Sequence, residues 1–408
     1  MDATTPHERL IGAKPFAASA ATASVVLTAQ PASVASSRVQ TFAIYAWAIL
    51  SYNLLVVAWG AYVRATSSGA GCGSHWPLCN GEILPRAPRI ETVIELTHRL
   101  TSGLALILVA GLFVWARKTF PPKHTARRAA AFSICFMLTE ALIGAGLVLF
   151  RLVAQNDSIA RAVYLSVHLI NTFLLLAAIA LTAWWASVNK TLRWSEQEKI
   201  VKVLAASVIF ATLVLGVSGA VTALGDTLFP SASLAAGFKQ DLEPAAHFLV
   251  RLRVLHPLIA ITVGSLLVAF AFFSIRRSEK ESVGRKVSEW TRRFGIALMC
   301  LVAVQFVVGA FNVALLAPIP LQLVHLLLAD LMWLALVLLI AAALGGESLR
   351  QKRIFAHQRL NTPDGFCFTV LRRARPCDEF AGNGITIHTL NFTLNEVGFY
   401  EKCGGDKT

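Results

Sequence analysis

Charged residues are scarce in this sequence. Asp, Glu, Lys and Arg make up 15% of its 408 residues, where a soluble domain carries about 25%. Hydrophobic residues reach 56% and mean hydropathy is +0.62, so an ordinary water-soluble globule is excluded. Acidic residues are the scarcer sign, 23 against 37 Lys and Arg, which leaves a net charge of +14. That excess does not point to nucleic acid, because no basic face on a soluble domain accompanies it. The first 40 residues have little Arg, and the apolar stretch at 20–27 lacks the basic flank of a secretory signal. They read as a disordered cytoplasmic tail, with a mitochondrial transit peptide as second choice. Of the seven cysteines, the three near the C-terminal end, Cys367, Cys377 and Cys403, match no zinc spacing.

What the chain has instead is long apolar runs, several above the ~18 residues that mark a spanning helix. The reading is an all-α polytopic membrane protein in the lipid bilayer. Eight helices are expected at 42–63, 95–116, 129–150, 163–187, 203–224, 252–275, 295–316 and 320–343. The loops after the second, fourth and sixth of these hold most of the basic residues, among them Arg117, Lys118, Arg127, Arg128, Arg276, Arg277, Arg292 and Arg293. The odd-numbered loops are poorer, with Arg64, Arg86, Arg89, Arg151, Arg161 and Lys239. The positive-inside rule then places both termini in the cytoplasm. The expected location is a bacterial cytoplasmic (inner) membrane, with a mitochondrial inner membrane second.

Four apolar runs open on a histidine: His98, His168, His256 and His325. All four runs enter from the outer side, so the imidazoles should share one depth. An internal repeat accounts for this. Gly60-Ala-Tyr-Val-Arg-Ala-Thr resembles Gly219-Ala-Val-Thr-Ala-Leu-Gly, and Glu95-Leu-Thr-His98 aligns with Arg253-Val-Leu-His256. Glu140-Ala-Leu-Ile-Gly144-Ala145 aligns with Gln305-Phe-Val-Val-Gly309-Ala310, and Val167-His168 with Val324-His325. Two pseudo-symmetric four-helix bundles follow, related by an axis along the membrane normal. The expected organisation is a disordered tail over 1–41, bundles over 42–187 and 203–343, a cytoplasmic linker over 188–202 and a disordered cytoplasmic tail over 344–408.

Two histidines on facing helices can grip a flat macrocycle from both sides. Haem suits an apolar bundle better than copper, which recruits Cys or Met as well. Cys135 and Cys300 are far from the histidines and are expected to be buried small apolar residues. The halves differ in one respect. Glu95 precedes His98 by three residues, on the same helical face, whereas Arg253 holds that place before His256. A carboxylate in a spanning helix is expensive and is a functional candidate by default. The plain alternative is that Glu95 pairs with Arg99. Chemistry is therefore expected in the first half and a resident cofactor in the second. Arg99 and Arg253 are candidate contacts for haem propionates. Cys72 and Cys79 lie in the first outer loop, where a disulfide is favoured; a redox-active pair is the alternative. Glu140 and Gln305 are expected to hydrogen-bond across helices, Gly144, Gly146 and Gly309 to permit close packing, and Asn171 to orient a ring.

These residues resemble the haem A synthase family over 42–343. The likeness rests on Gly60-Ala-Tyr-Val-Arg64-Ala-Thr, Cys72…Trp76-Pro77-Leu78-Cys79, Glu95-Leu-Thr-His98-Arg99, His168, His256-Pro257 and His325. The resemblance implies oxidation of the C8 methyl of haem O by successive hydroxylations, through a geminal diol, to the formyl group of haem A. It implies that His98 and His168 hold the substrate haem with Glu95 catalytic, and that His256 and His325 hold the iron of a haem b cofactor. It also implies a supplying synthase for haem O, an electron donor not identified by sequence, and a role in cytochrome oxidase assembly; a homo-oligomer is compatible with it. The sequence departs from some relatives in having no cysteine pair at 225–250. The competing readings are a di-haem b electron-transfer protein without methyl chemistry, and a small-solute transporter with a polar midplane site.

Overall fold

The computed structural model describes residues 32–188, 191–192, 198–281, 289–346, 360–361 and 367–368. Lipid offers no partner for a bare amide, so a spanning chain must satisfy its backbone internally. The apolar runs accordingly form α1 (Ala32–Ala65), α2 (Ile90–Thr119), α3 (Thr125–Leu149), α4 (Ile159–Ser187) and α5 (Lys199–Leu228). After α6 (Leu234–Leu242) and α7 (Phe248–Leu252) come α8 (Leu255–Glu281), α9 (Glu289–Ala314) and α10 (Ile319–Ala343). Eight helical spans are long and apolar enough to cross a membrane, α7 and α8 together forming the sixth. The chain is an all-helical, multi-pass membrane protein.

The helices overrun their apolar runs. α1 starts at Ala32, inside the stretch expected as tail. The rest of the N-terminal tail, most of the linker and nearly all of the C-terminal tail lie outside the described residues. Polar residues mark helix starts: Ser158 accepts from the Arg161 amide at α4, and His124 from the Ala126 amide at α3. α6, which no apolar run signalled, is opened by Ser233 accepting from the Ala236 amide. β1 (Thr191–Leu192) pairs antiparallel with β2 (Gly345–Gly346), which puts the α4–α5 connection and the chain after α10 at one end of the bundle. The disulfide loop between α1 and α2 lies at the other.

Two apolar cores organise the packing. One gathers Phe42, Ile49, Leu112, Leu176 and Ile179 from the first four helices, and the other Val208, Leu267, Leu298, Leu336 and Leu339 from the last. α4 and α10 are the most buried spans. They meet at Phe173 and Trp333, whose rings stack at 5.3 Å while the Trp333 indole donates to the Phe173 carbonyl at 2.7 Å. Towards the disulfide end Arg64 ties the halves together. Its Nη1 donates to Ala223 O at 2.6 Å and Thr227 Oγ1 at 2.8 Å, and its Nη2 to Gln322 Oε1 at 3.0 Å. Cys135 and Cys300 are exposed on helix surfaces, contrary to the expectation of burial. A thiol is small and apolar enough to sit against hydrocarbon as readily as in a core.

Candidate functional site

One cavity of about 1660 Å³ runs between the halves and is lined by all four histidines together with Glu95 and Glu140. It exceeds the ~300–1,000 Å³ of a single-ligand pocket. Helical geometry explains why the imidazoles converge on it. Each rests over a glycine of the preceding helix. A Cβ built at Gly60 would lie 2.8 Å from His98 Cε1, and one at Gly219 3.1 Å from His256 Cε1. At Gly309 the distance to His325 Cε1 is 3.2 Å, and at Gly144 the distance to His168 Cε1 is 4.0 Å. The same glycine–histidine unit thus occurs four times, twice in each half. Gly146 serves packing instead, with Tyr164 2.9 Å from its would-be Cβ.

In the second half the His256 and His325 rings stand 6.4 Å apart, centre to centre, at 82°. Two imidazoles sharing one iron at ~2 Å each, with ring centres a further ~1.1 Å out, stand ~6.3 Å apart. The pair fits a six-coordinate haem iron. Ser218 Oγ is 2.9 Å from His256 Nδ1, so that ring is oriented with its other nitrogen free for a metal. Gln305 Nε2 donates to the His325 carbonyl at 3.0 Å and lies 3.3 Å from His325 Nε2. No ring contact joins His98 and His168 among the described residues.

The first half carries acids where the second carries an amide and a cation. α2 begins at Ile90, so Glu95 and His98 fall in its second and third turns rather than at its opening. Glu95 is 3% exposed. Its Oε2 accepts from the Cys72 amide at 2.8 Å, and its Oε1 from Arg99 Nη2 at 2.5 Å and Nε at 3.2 Å. Arg99 Nη1 donates to His75 O and Leu78 O, both at 2.6 Å. The ion pair read as the plain alternative is therefore present, and it doubles as the clasp of the loop. Cys72 and Cys79 form a disulfide, both buried, within that loop. Glu140 is the second acid. It accepts from Asn171 Nδ2 at 2.6 Å and from the Thr172 hydroxyl, and its Oε1 lies 3.5 Å from His168 Nδ1. Asn171 thus orients the acid rather than the ring.

The two arginines expected near propionates are engaged by protein oxygens: Arg99 as described, and Arg253 by Gly225 O at 2.8 Å, Phe229 O at 2.6 Å, Asp226 at 3.3 Å and Asp241 at 3.7 Å. Burial pushes the Asp241 carboxyl upward, and Arg253 draws it back. His75 is exposed, and His247 caps α7. Sequence reasoning missed Glu140 as a neighbour of His168, and it missed the glycine partners. The repeat alignment already held both signals, since Glu140/Gln305 and Gly60/Gly219 occupy matched positions.

The chain matches the family model described as cytochrome oxidase assembly protein over residues 43–337. It is 52% identical over 300 residues to a Thermus thermophilus protein named protoheme IX farnesyltransferase, an overlap of 74% of this chain and 48% of that one. It is 34% identical over 118 residues to a heme A synthase of Exiguobacterium sibiricum, covering 29% of this chain and 38% of that one. Over 103 residues it is 47% identical to a heme A synthase of Bacillus mycoides, covering 25% and 33%. The chain spans about half the length of the first of these relatives.

Proposed function

Because the chain belongs to the cytochrome oxidase assembly protein family, the haem A synthase family its motifs resemble, we propose that it oxidises the C8 methyl of haem O to a formyl group. The observation that carries this reading is the one-sided distribution of acids. Four imidazoles line one cavity, and only the first pair has carboxylates beside it, Glu95 next to His98 and Glu140 next to His168. An electron-transfer pair would need neither. The transporter reading wants its polar site at the midplane, whereas Glu95, Arg99 and Arg161 lie towards the disulfide end.

In this proposal His98 and His168 hold the substrate haem and His256 and His325 a haem b. The bound irons supply oxygen activation and electron relay. The protein supplies the rest. Gly60 leaves the His98 imidazole room against α1. Glu95, fixed by Arg99 and the Cys72 amide, keeps a carboxylate at one place in a site that excludes water. There it accepts a proton or opposes positive charge developing at the methyl carbon. The disulfide loop, clasped by Arg99, closes the site above it. The exposed side chains of Leu100, Leu104 and Ile107 line the cavity on α2, an apolar wall suited to a hydrocarbon tail.

Haem O is supplied by a protohaem IX farnesyltransferase, the name that the Thermus relative bears; this chain spans only half of that relative, so farnesyl transfer is not carried over. The location is a bacterial cytoplasmic membrane with both termini in the cytoplasm. The test is Glu95→Gln in a host that makes haem O. Haem A should disappear from extracted pigment while protein-bound haem persists. Conversion at the parent rate would remove Glu95 from the mechanism, and a purified protein without a Soret band would remove the haem reading altogether.

A further inference from the structure

The cavity contains a buried cation with an unpartnered nitrogen and, among the described residues, no acid in reach. Arg161, in the first turn of α4, is 2% exposed and lines the cavity. Its Nη1 donates to the carbonyls of Ala154 and Asn156, yet its Nε is buried without a partner. Among the described residues no carboxylate lies within ion-pair distance of it. Arg99 is paired with Glu95 and Arg253 with Asp226 and Asp241. Arg64, which among the described residues has no carboxylate in ion-pair distance either, spends both terminal nitrogens on Ala223 O, Thr227 and Gln322. Arg161 alone of the four combines the lack of an acid with a buried Nε that has no partner. A buried guanidinium without an anion is unfavourable unless a ligand brings one.

Its register says which ligand. Arg161 precedes His168 by seven residues, two helical turns, so both project from one face of α4, with Leu165 between them along the cavity wall. The offset along the axis is ~10.5 Å, and haem carboxylates hang from one edge of the macrocycle, on the order of 10 Å from the iron. In the repeat, Pro318 occupies the matching place before His325, so the second half has no such cation. We infer that Arg161 is a carboxylate-binding residue of the first site, receiving a propionate of the haem held by His98 and His168. This rests on the proposed function, and it replaces Arg99 in the part that the sequence suggested.

The probe is ferric protoporphyrin IX and its dimethyl ester, titrated into the purified full-length protein carrying its resident haem and followed by Soret difference spectra. Wild type should bind the diacid about 10- to 100-fold more tightly than the ester, the range of a charge-assisted hydrogen bond. Arg161→Gln keeps a donor for the two loop carbonyls; it should lose that preference and bind the ester as wild type does, with the resident Soret band unchanged as the measure of intact folding. Arg161→Lys should keep part of the preference. An unchanged diacid-to-ester ratio in Arg161→Gln overturns this inference alone. So does wild type binding diacid and ester equally, which needs no variant. Failure of wild type to take up any second haem overturns the inference together with the reading of the first site.

Discussion

Gly60→Ala adds a single methyl group, and the structure gives its consequence. The new Cβ would lie 2.8 Å from Cε1 and 3.1 Å from Nε2 of His98. Carbon atoms rest at ~3.5–4.0 Å, so the ring must retreat by ~0.7–1.2 Å. Retreat moves the nitrogen that faces the cavity. A displacement of ~1 Å at a reacting centre lowers turnover by about 100-fold. The control lies in the same site. At Gly144 the nearest atom to an added Cβ is His168 Cε1 at 4.0 Å, an ordinary contact. Both substitutions exchange helical Gly for Ala, which by itself favours the helix by about 1 kcal/mol, so destabilisation of the helix cannot explain a loss. The assay is haem O to haem A conversion by chromatography of pigment from host membranes, with haem content measured alongside. Gly60→Ala should fall about 100-fold while the haem of the second half persists, and Gly144→Ala should stay within about threefold of wild type. Equal losses in both variants, or none in Gly60→Ala, would refute the idea that these glycines set the position of the rings.

Glu140→Gln should raise the reduction potential of haem bound in the first site by about 40–90 mV, the one-electron equivalent of removing ~1–2 kcal/mol of carboxylate stabilisation; redox titration of the second-bound haem reads it, and an unmoved potential would disconnect Glu140 from His168. Replacing both Cys72 and Cys79 by Ala opens a short loop and should lower unfolding stability by about 2.5 kcal/mol, readable as a lower Tm. Because the Cys72 amide holds Glu95, the loss of activity in that double variant should shrink when Glu95→Gln is already present; full additivity would show that loop and carboxylate act separately. Cys135 and Cys300 should react with an apolar maleimide in detergent without reduction, whereas Cys72 and Cys79 should be modified only after it.

The apolar runs made the eight spans legible, because lipid leaves the backbone no alternative to a helix. Their ends were less legible. α1 and α2 begin before their apolar windows. The histidines were found through the repeat, which makes position meaningful without a structure. What stayed hidden depends on backbone atoms and on loops. The clasp of Arg99 on the His75 and Leu78 carbonyls uses oxygens that every residue owns, so no side-chain pattern announces it. α6 carries no long apolar run, and only its Ser233 cap marks its start. Arg161 was counted among loop charges, because whether an arginine faces water or a cavity depends on where the helix begins. Cys135 and Cys300 were misplaced for a related reason: in a membrane protein, apolar character does not separate the core from the lipid-facing surface.

Around the histidines, the positions that the repeat alignment matches differ in a few side chains. Glu95 is replaced by Arg253, Glu140 by Gln305 and Arg161 by Pro318, while the glycine under each imidazole is kept. In a low-dielectric bundle each exchange has a definite sign. The first half has Glu95, neutralised by Arg99, and Glu140 beside its histidines, and Arg161 two turns before His168 with no carboxylate in ion-pair distance among the described residues. In the second half Arg253 lies between Asp226 and Asp241, and both rings are flanked by neutral groups, Ser218 and Gln305. In that half, among the described residues, no cation of the site is left without a carboxylate, and the groups that touch the rings carry no charge. A site that must admit a dianionic substrate and release it is better served by a cation left waiting. In the proposed division of the two sites, Arg161 and Glu95 thus mark the first as the one that takes substrate, on two separate observations.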